Sequence, residues 1–397
     1  MLRLMLLRTH THGPVLIDDC CLPRFWSAVW VLLHGADLAP TTLVKKMGHI
    51  EALYSHSESL GGNLDDMLSE LDLDRLGNTL EAFFVKLRNV PVPTTTTANR
   101  WKTAFHFVRD TCLRLEKNPA VGNRMADIQE RISRLDNLYL GLRPYRPRYG
   151  RKPRAIPRLV VTELLEAIQP GSPTNPFSSE ATQWRVFVLV KLLLLQGLRR
   201  GEALSLPADF LISERNPRTN ELKWRLSVRT NDAEEDPRAE APGIKTVDSI
   251  RTIPVAASTA QAFQVYLENY RGKVNHSYYL SSVRGLPLSL EGASKSLEKL
   301  TEALSQVAKD ELWNLTGARV IRPHALRHTC AVIRMKQLLS SGNTPEHSMM
   351  HMRSYFGWSK SSVMPLHYAK AALDERLNET WNDQLDDRLA VLRSLPQ

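Results

Sequence analysis

Cysteine is scarce in this 397-residue chain. Its four cysteines, Cys20, Cys21, Cys112 and Cys330, form no CxxC pair and no metal-ligand spacing, and two are adjacent; the pattern excludes a disulfide framework and a zinc site. A reduced, cytoplasmic compartment is the expectation. Long apolar runs are missing too. The most apolar stretch, WRVFVLVKLLLLQGL from Trp184 to Leu198, is interrupted by Arg185 and Lys191 and falls short of the roughly 18 to 20 residues of a bilayer span. It reads as a buried helix, so no membrane partner is expected. Arg3 and Arg8 lie beside leucines, but Thr9, His10, Thr11 and His12 follow without a small-residue cleavage site, and no signal peptide is expected. HExxH and Walker-type glycine loops are absent, so neither a metal nor a cofactor is expected.

What the chain has in excess is positive charge. Its formal net charge of +10 makes a nucleic acid the first electrostatic hypothesis for a partner. The charge is concentrated in RPYRPRYGRKPRAIPR, residues 143 to 158, where no acidic residue intervenes. Four prolines keep this segment extended. Arg143, Arg146, Arg148, Arg151, Lys152 and Arg154 are therefore expected to track a phosphate backbone of double-stranded DNA.

The length suits two domains, each with its own core. Before the basic segment the patterns are helical. A short amphipathic stretch runs over 25–37, and Leu43, Met47, Ile50, Leu53 and Tyr54 follow at helical spacing with Thr41 or Thr42 as N-cap. Leu73, Leu76, Leu80, Phe83, Phe84 and Leu87 mark a further helix, and Trp101, Phe105, Val108, Cys112 and Leu115 another. About four helices are predicted, with a fifth at ADIQERISRLDNLYLGL. After the segment, a helix capped by Thr162 and a buried helix from Ala181 to Gln196 precede two strands, ELKWRLSVRT and IKTVDSIRTIPV, joined by a polar loop. From Leu288 the patterns are helical again. The fold class is thus mostly α with a small β-sheet: an extension over 1–30, a helical domain over 31–142, a linker over 143–158 and a second domain over 159–397 with a helical tail from 373.

Four separated pieces carry chemistry. GLRRGEALSL delivers Arg199 and Arg200 before Glu202; Lys245 lies beside the predicted hairpin; HALRHT contains His324 and Arg327; and YFGWSKSSVMPLHYAKA contains Trp358 and Tyr368. Together, and in this order, they resemble the boxes of the tyrosine recombinase (phage integrase) family, over about Leu159 to Lys370 and more weakly before it. The interval from Arg327 to Trp358 is longer than the family pattern, and SSGNTPEHSMMHMRS holds the excess.

The resemblance implies a two-domain DNA clamp, a helical core-binding domain and an α/β catalytic domain closing around duplex DNA. It implies strand cleavage and rejoining through a 3′-phosphotyrosine, in site-specific recombination for a mobile element. Tyr368 is then the nucleophile and Arg199 and Arg327 hold the scissile phosphate. His324 helps with the phenolic proton, Lys245 protonates the departing 5′ oxygen, and Trp358 stands where a phosphate donor belongs. The chemistry agrees: a phosphodiester under attack gathers negative charge that two guanidinium forks stabilise as it grows. A phenol of ordinary pKa near 10 must lose its proton during attack. Arg200 reads as a contact to the DNA backbone, Glu202 as a support that orients Arg199, and His328 as locally packed. A homo-oligomer on nucleoid DNA, with accessory DNA-bending proteins, completes the implied assembly. Leu373, Leu377, Leu385, Leu389 and Leu392 read either as packing of their own domain or as a tail docking into a neighbour. A relaxing topoisomerase and a catalytically silent DNA-binding regulator are the alternatives.

Overall fold

A computed structural model describes residues 4–5, 14–116, 125–139, 141–144, 155–215, 218, 220–231, 234–238, 241–244 and 247–369. The chain divides into two compact units, Met1–Gly150 and Arg151–Gln397. Architecture is mostly helical with a small antiparallel sheet.

In the first unit β1 (Leu4–Met5) pairs antiparallel with β2 (Val15–Leu16), and six helices follow among the described residues. They are α1 (Phe25–His34), α2 (Pro40–Ser59), α3 (Leu64–Ser69), α4 (Leu73–Arg88), α5 (Thr95–Glu116) and α6 (Met125–Tyr139). The run expected to give one helix around Leu73 gives two, because Leu71 adopts a left-handed φ of 51° and Asp72 caps α4 by accepting from the Arg75 N–H. Helix α2 starts earlier than Thr41 or Thr42 would place it. Pro40 occupies its first turn, where a fixed φ and a missing N–H cost nothing, and Ala39 is the cap residue. The periodic residues Met47, Ile50, Leu53, Leu76, Leu80, Phe83, Trp101 and Val108 fill one core. Beside it Arg24 is buried, donating to Glu51 at 3.0 Å and Glu58 at 2.7 Å with its guanidinium 4.4 Å from the Tyr54 ring centroid.

The second unit begins with α7 (Arg158–Ala167). Thr162 is not its cap: Pro157 is the cap residue, the helix starts at Arg158, and the Thr162 hydroxyl donates to the Arg158 carbonyl. Helix α8 (Glu180–Val190) is buried along Val186–Val190 and widens into a π-turn over Lys191–Leu195. A six-residue helix, α9 (Arg200–Ser205), leads into the sheet, β3 (Leu211–Arg215), β4 (Leu222–Val228) and β5 (Arg251–Val255), with β4 central. Strand β3 was not foreseen. Four of its five residues are exposed, so it lacks the alternation that marks a half-buried strand. Leu226, Val228, Ile253 and Val255 turn inward from β4 and β5. Helices α10 (Ala257–Val265), α11 (Leu290–Glu302), α12 (Gln306–Thr316), α13 (Pro323–Ser340) and α14 (Pro345–Phe356) complete the unit. The stretch SSGNTPEHSMMHMRS between Arg327 and Trp358 is regular structure: past the end of α13 the chain turns and forms α14, capped by Thr344.

Candidate active site

Two glycine-terminated helices shape the site. The π-turn after α8 closes at Gly197, whose φ is +63°, and Leu198 N–H reaches back to the Leu192 carbonyl at 3.0 Å. Helix α14 closes at Gly357, whose φ is +59°. Both positions need glycine twice over. A Cβ on Gly197 would sit 2.5 Å from the Phe356 ring, and one on Gly357 would sit 2.9 Å from Asp248 O and from Arg251 Nη1.

The carbonyls of this region hold the arginines. Arg199 is the cap residue of α9; its Nη1 donates to Glu202 and to Ser249 Oγ (2.9 Å), and its Nη2 to Gly357 O (3.3 Å). Arg327, in the second turn of α13, donates through Nη1 to Gly197 O and weakly to Glu202, and through Nη2 to Phe356 O at 2.7 Å. A guanidinium has five N–H donors, and each of these two uses three. What remains on both, among the described residues, is Nε–H and one Nη2–H, the side-on fork that fits a phosphate or carboxylate with two parallel bonds.

Glu202 lies beneath both. Its side chain is fully buried and pairs with Arg199, with Arg251 at 3.0 Å and with Arg327 at 3.5 Å. Burial alone would raise its carboxyl, but Arg251, Arg327 and Arg199 hold it below the ordinary glutamate value. It supports three arginines rather than one. Arg251 is the functional candidate that the sequence reading missed. It is tied to Tyr355 O (2.7 Å), Ser249 O (2.6 Å) and Glu202, and its only sequence signal is a charged residue at the start of a strand. Burial pushes the Arg327 guanidinium down to about 9, with Glu202 opposing and Arg199 and Arg251 adding to the shift; it stays charged at neutral pH.

His324 sits one turn before Arg327 on the same face of α13. Burial, then the charges of Arg327 and Arg199, lower its pKa below 6.5, so it is neutral at pH 7. Tyr368 is 2% exposed. Burial raises its phenol to about 12, while the charges of Arg327 and Arg199 pull in the opposite direction. Its ring stacks on Trp358 (5.3 Å, 10°), which stacks in turn on Phe356, and the imidazole against it is that of His328, at 4.9 Å. Trp358 is a buried packing partner of the tyrosine.

Arg199, Arg200, Arg322, His324 and Arg327 line one cavity of about 440 Å³. Arg200 is held there by Ser294 Oγ at 2.7 Å. Lys245 lies outside the described residues; of its described neighbours, Pro242 O accepts from Ser205 Oγ at 2.6 Å, and Ser249 contacts Arg199. Arg146, Arg148, Arg151, Lys152, Arg154 and the tail leucines Leu373, Leu377, Leu385, Leu389 and Leu392 also lie outside the described residues. Arg143 is exposed and, within the first unit, borders a pocket of about 570 Å³ with Lys102, His106, Arg109 and Trp101. Among the described residues no helix is long and apolar enough to cross a membrane, and no cluster of His, Cys, Asp or Glu could hold a metal.

No family model and no curated protein matches the chain. Among solved structures it is similar to XerA recombinase, at 16% identity over 84% of this chain and 97% of that one, with a TM-score of 0.37. It is also similar to XerH site-specific recombinase bound to palindromic difH substrate, at 12% identity over 74% and 85%, with a TM-score of 0.41. A lambda integrase dimer bound to a COC′ core site matches at 14% identity over 82% and 92%, with a TM-score of 0.38. What the site can do is therefore argued from its own side chains.

Proposed function

We propose that this chain is a tyrosine recombinase that cuts and rejoins double-stranded DNA through a 3′-phosphotyrosine. One observation carries the reading: the half-buried Arg199 and the buried Arg327, locked by glycine carbonyls and a shared carboxylate, leave their forked edges without a partner among the described residues, and their charges act on the phenol of Tyr368.

In the proposed reaction the scissile phosphate takes the open donors of Arg199 and Arg327, which are already oriented and need no reorganisation as charge grows on its non-bridging oxygens. The Tyr368 oxygen forms a bond to phosphorus while the bond to the 5′ oxygen breaks. The phenolic proton passes to neutral His324, directly or through water, and the departing oxygen takes a proton, by resemblance from Lys245. Rejoining is the reverse. Because the phosphotyrosyl bond replaces a phosphodiester of similar energy, no nucleotide is hydrolysed. The basic segment over 143–158 and the Arg143 surface supply backbone contacts. Site-specific recombination for a mobile element, by an oligomer on DNA, is the biological setting proposed.

A duplex nicked next to the crossover traps the covalent complex, because the short strand beyond the cut diffuses away. Wild-type protein is expected to form a denaturant-resistant adduct, and Tyr368→Phe to bind the duplex without forming it. An adduct in Tyr368→Phe removes the assignment; no adduct from wild type favours the silent regulator. Relaxation of any supercoiled plasmid, whatever its sequence, would instead indicate a topoisomerase.

A further inference from the structure

The scissile phosphate accounts for Arg199 and Arg327 but leaves much of the cavity's charge unanswered. Among the described residues five guanidiniums, those of Arg199, Arg200, Arg251, Arg322 and Arg327, lie in or beneath it, against two carboxylates, Glu202 below and Glu298 in the wall. The surplus is three positive charges, and a single phosphodiester brings one negative charge. Arg322 stands out among them. Its side chain makes no hydrogen bond or ion pair with any described residue, and its role as cap residue of α13 is played by its backbone, whose carbonyl accepts from the Ala325 N–H at 2.9 Å. Arg200, across the same cavity, is fixed by Ser294 Oγ and the Leu290 carbonyl and retains three of its five donors. A cation with no side-chain partner among the described residues, beside one aimed by its neighbours, is what an incoming anion needs.

We propose that the cavity holds two successive backbone phosphates of one DNA strand, with Arg322 and Arg200 taking the phosphate adjacent to the scissile one. This rests on the proposed DNA-cleaving function and adds to it a second, non-reacting phosphate subsite, with Arg322 as its adjustable member. Glu298 in the wall limits how tightly the strand is held, since a carboxylate near a phosphate repels it.

Counterion release gives the test. The logarithm of the binding constant falls against the logarithm of salt concentration with a slope of about −0.9 per neutralised phosphate. With a short random-sequence duplex as probe, Arg322→Ala is expected to make that slope shallower by about 0.9, Arg322→Lys to keep it, and Glu298→Gln to tighten binding. On a cleavable nicked duplex, a neutral methylphosphonate at one of the phosphates flanking the cut is expected to weaken wild-type binding and to weaken Arg322→Ala no further, as two changes to one contact do not add. An unchanged slope in Arg322→Ala, or methylphosphonate and Arg322→Ala effects that multiply, overturns the subsite. A loss of adduct in Arg322→Ala as deep as the about 10²–10³ expected of Arg327→Ala overturns it as well, by placing Arg322 on the scissile phosphate. Failure of the cleavage reading shows itself separately, as wild-type protein that forms no adduct while its salt slope remains measurable.

Discussion

At the residue scale the site turns on Glu202, a buried carboxylate that offsets part of the charge of Arg199, Arg251 and Arg327. Without it, three guanidiniums repel one another in a desolvated space. Glu202→Gln is therefore expected to cost about 3–5 kcal/mol of folding stability at neutral pH, the range for breaking a buried ion pair from one side. The sign with pH follows from its depressed pKa. The contribution is complete above the ordinary value of 4.5 and is lost as pH falls through the lower folded value. Urea midpoints of wild type and Glu202→Gln should accordingly converge below pH 4.5. A gap that stays constant across that range would mean that the carboxylate's charge is not what holds the cluster.

At the element scale, function depends on where helices stop. The π-turn after α8 and the end of α14 each present a glycine carbonyl to an arginine, Gly197 to Arg327 and Gly357 to Arg199. Gly357→Ala is expected to destabilise by about 2–4 kcal/mol, from the left-handed backbone and from overpacking against Asp248 and Arg251. On the proposed function, DNA cleavage should fall further than DNA binding, because the Arg199 carbonyl partner moves. A calorimetric scan and a paired cleavage and binding assay check both. These details mark the limit of what could be read in advance. The helices of both units were legible because their apolar residues recur at helical spacing, and Arg199, His324 and Arg327 because they fall inside short linear boxes. Strand β3 has no buried face to announce it, and the start of α2 was decided by Pro40 rather than by a threonine. Arg251 and Glu202 are 49 residues apart, so no local pattern reveals their pairing. The stacking of Trp358 on Tyr368 is likewise a tertiary fact, since nothing in the spacing of the two says that the rings lie 5.3 Å apart.

At the scale of the whole molecule, the proposed function asks two things of the chain: that a net charge of +10 favour encounter with DNA, and that the cavity in the second unit act on the strand it meets. The two parts of the account are separable, because a basic protein can bind DNA without cutting it. What joins them is the claim that the phenol buried beside Trp358 is the atom that becomes linked to phosphorus. The direct measurement is to trap the covalent complex on a nicked duplex, digest it with protease and nuclease, and sequence the peptide that retains the nucleotide. The account expects a single modified peptide with the nucleotide on Tyr368; a nucleotide on Tyr355, on a serine, or on any other side chain would contradict it.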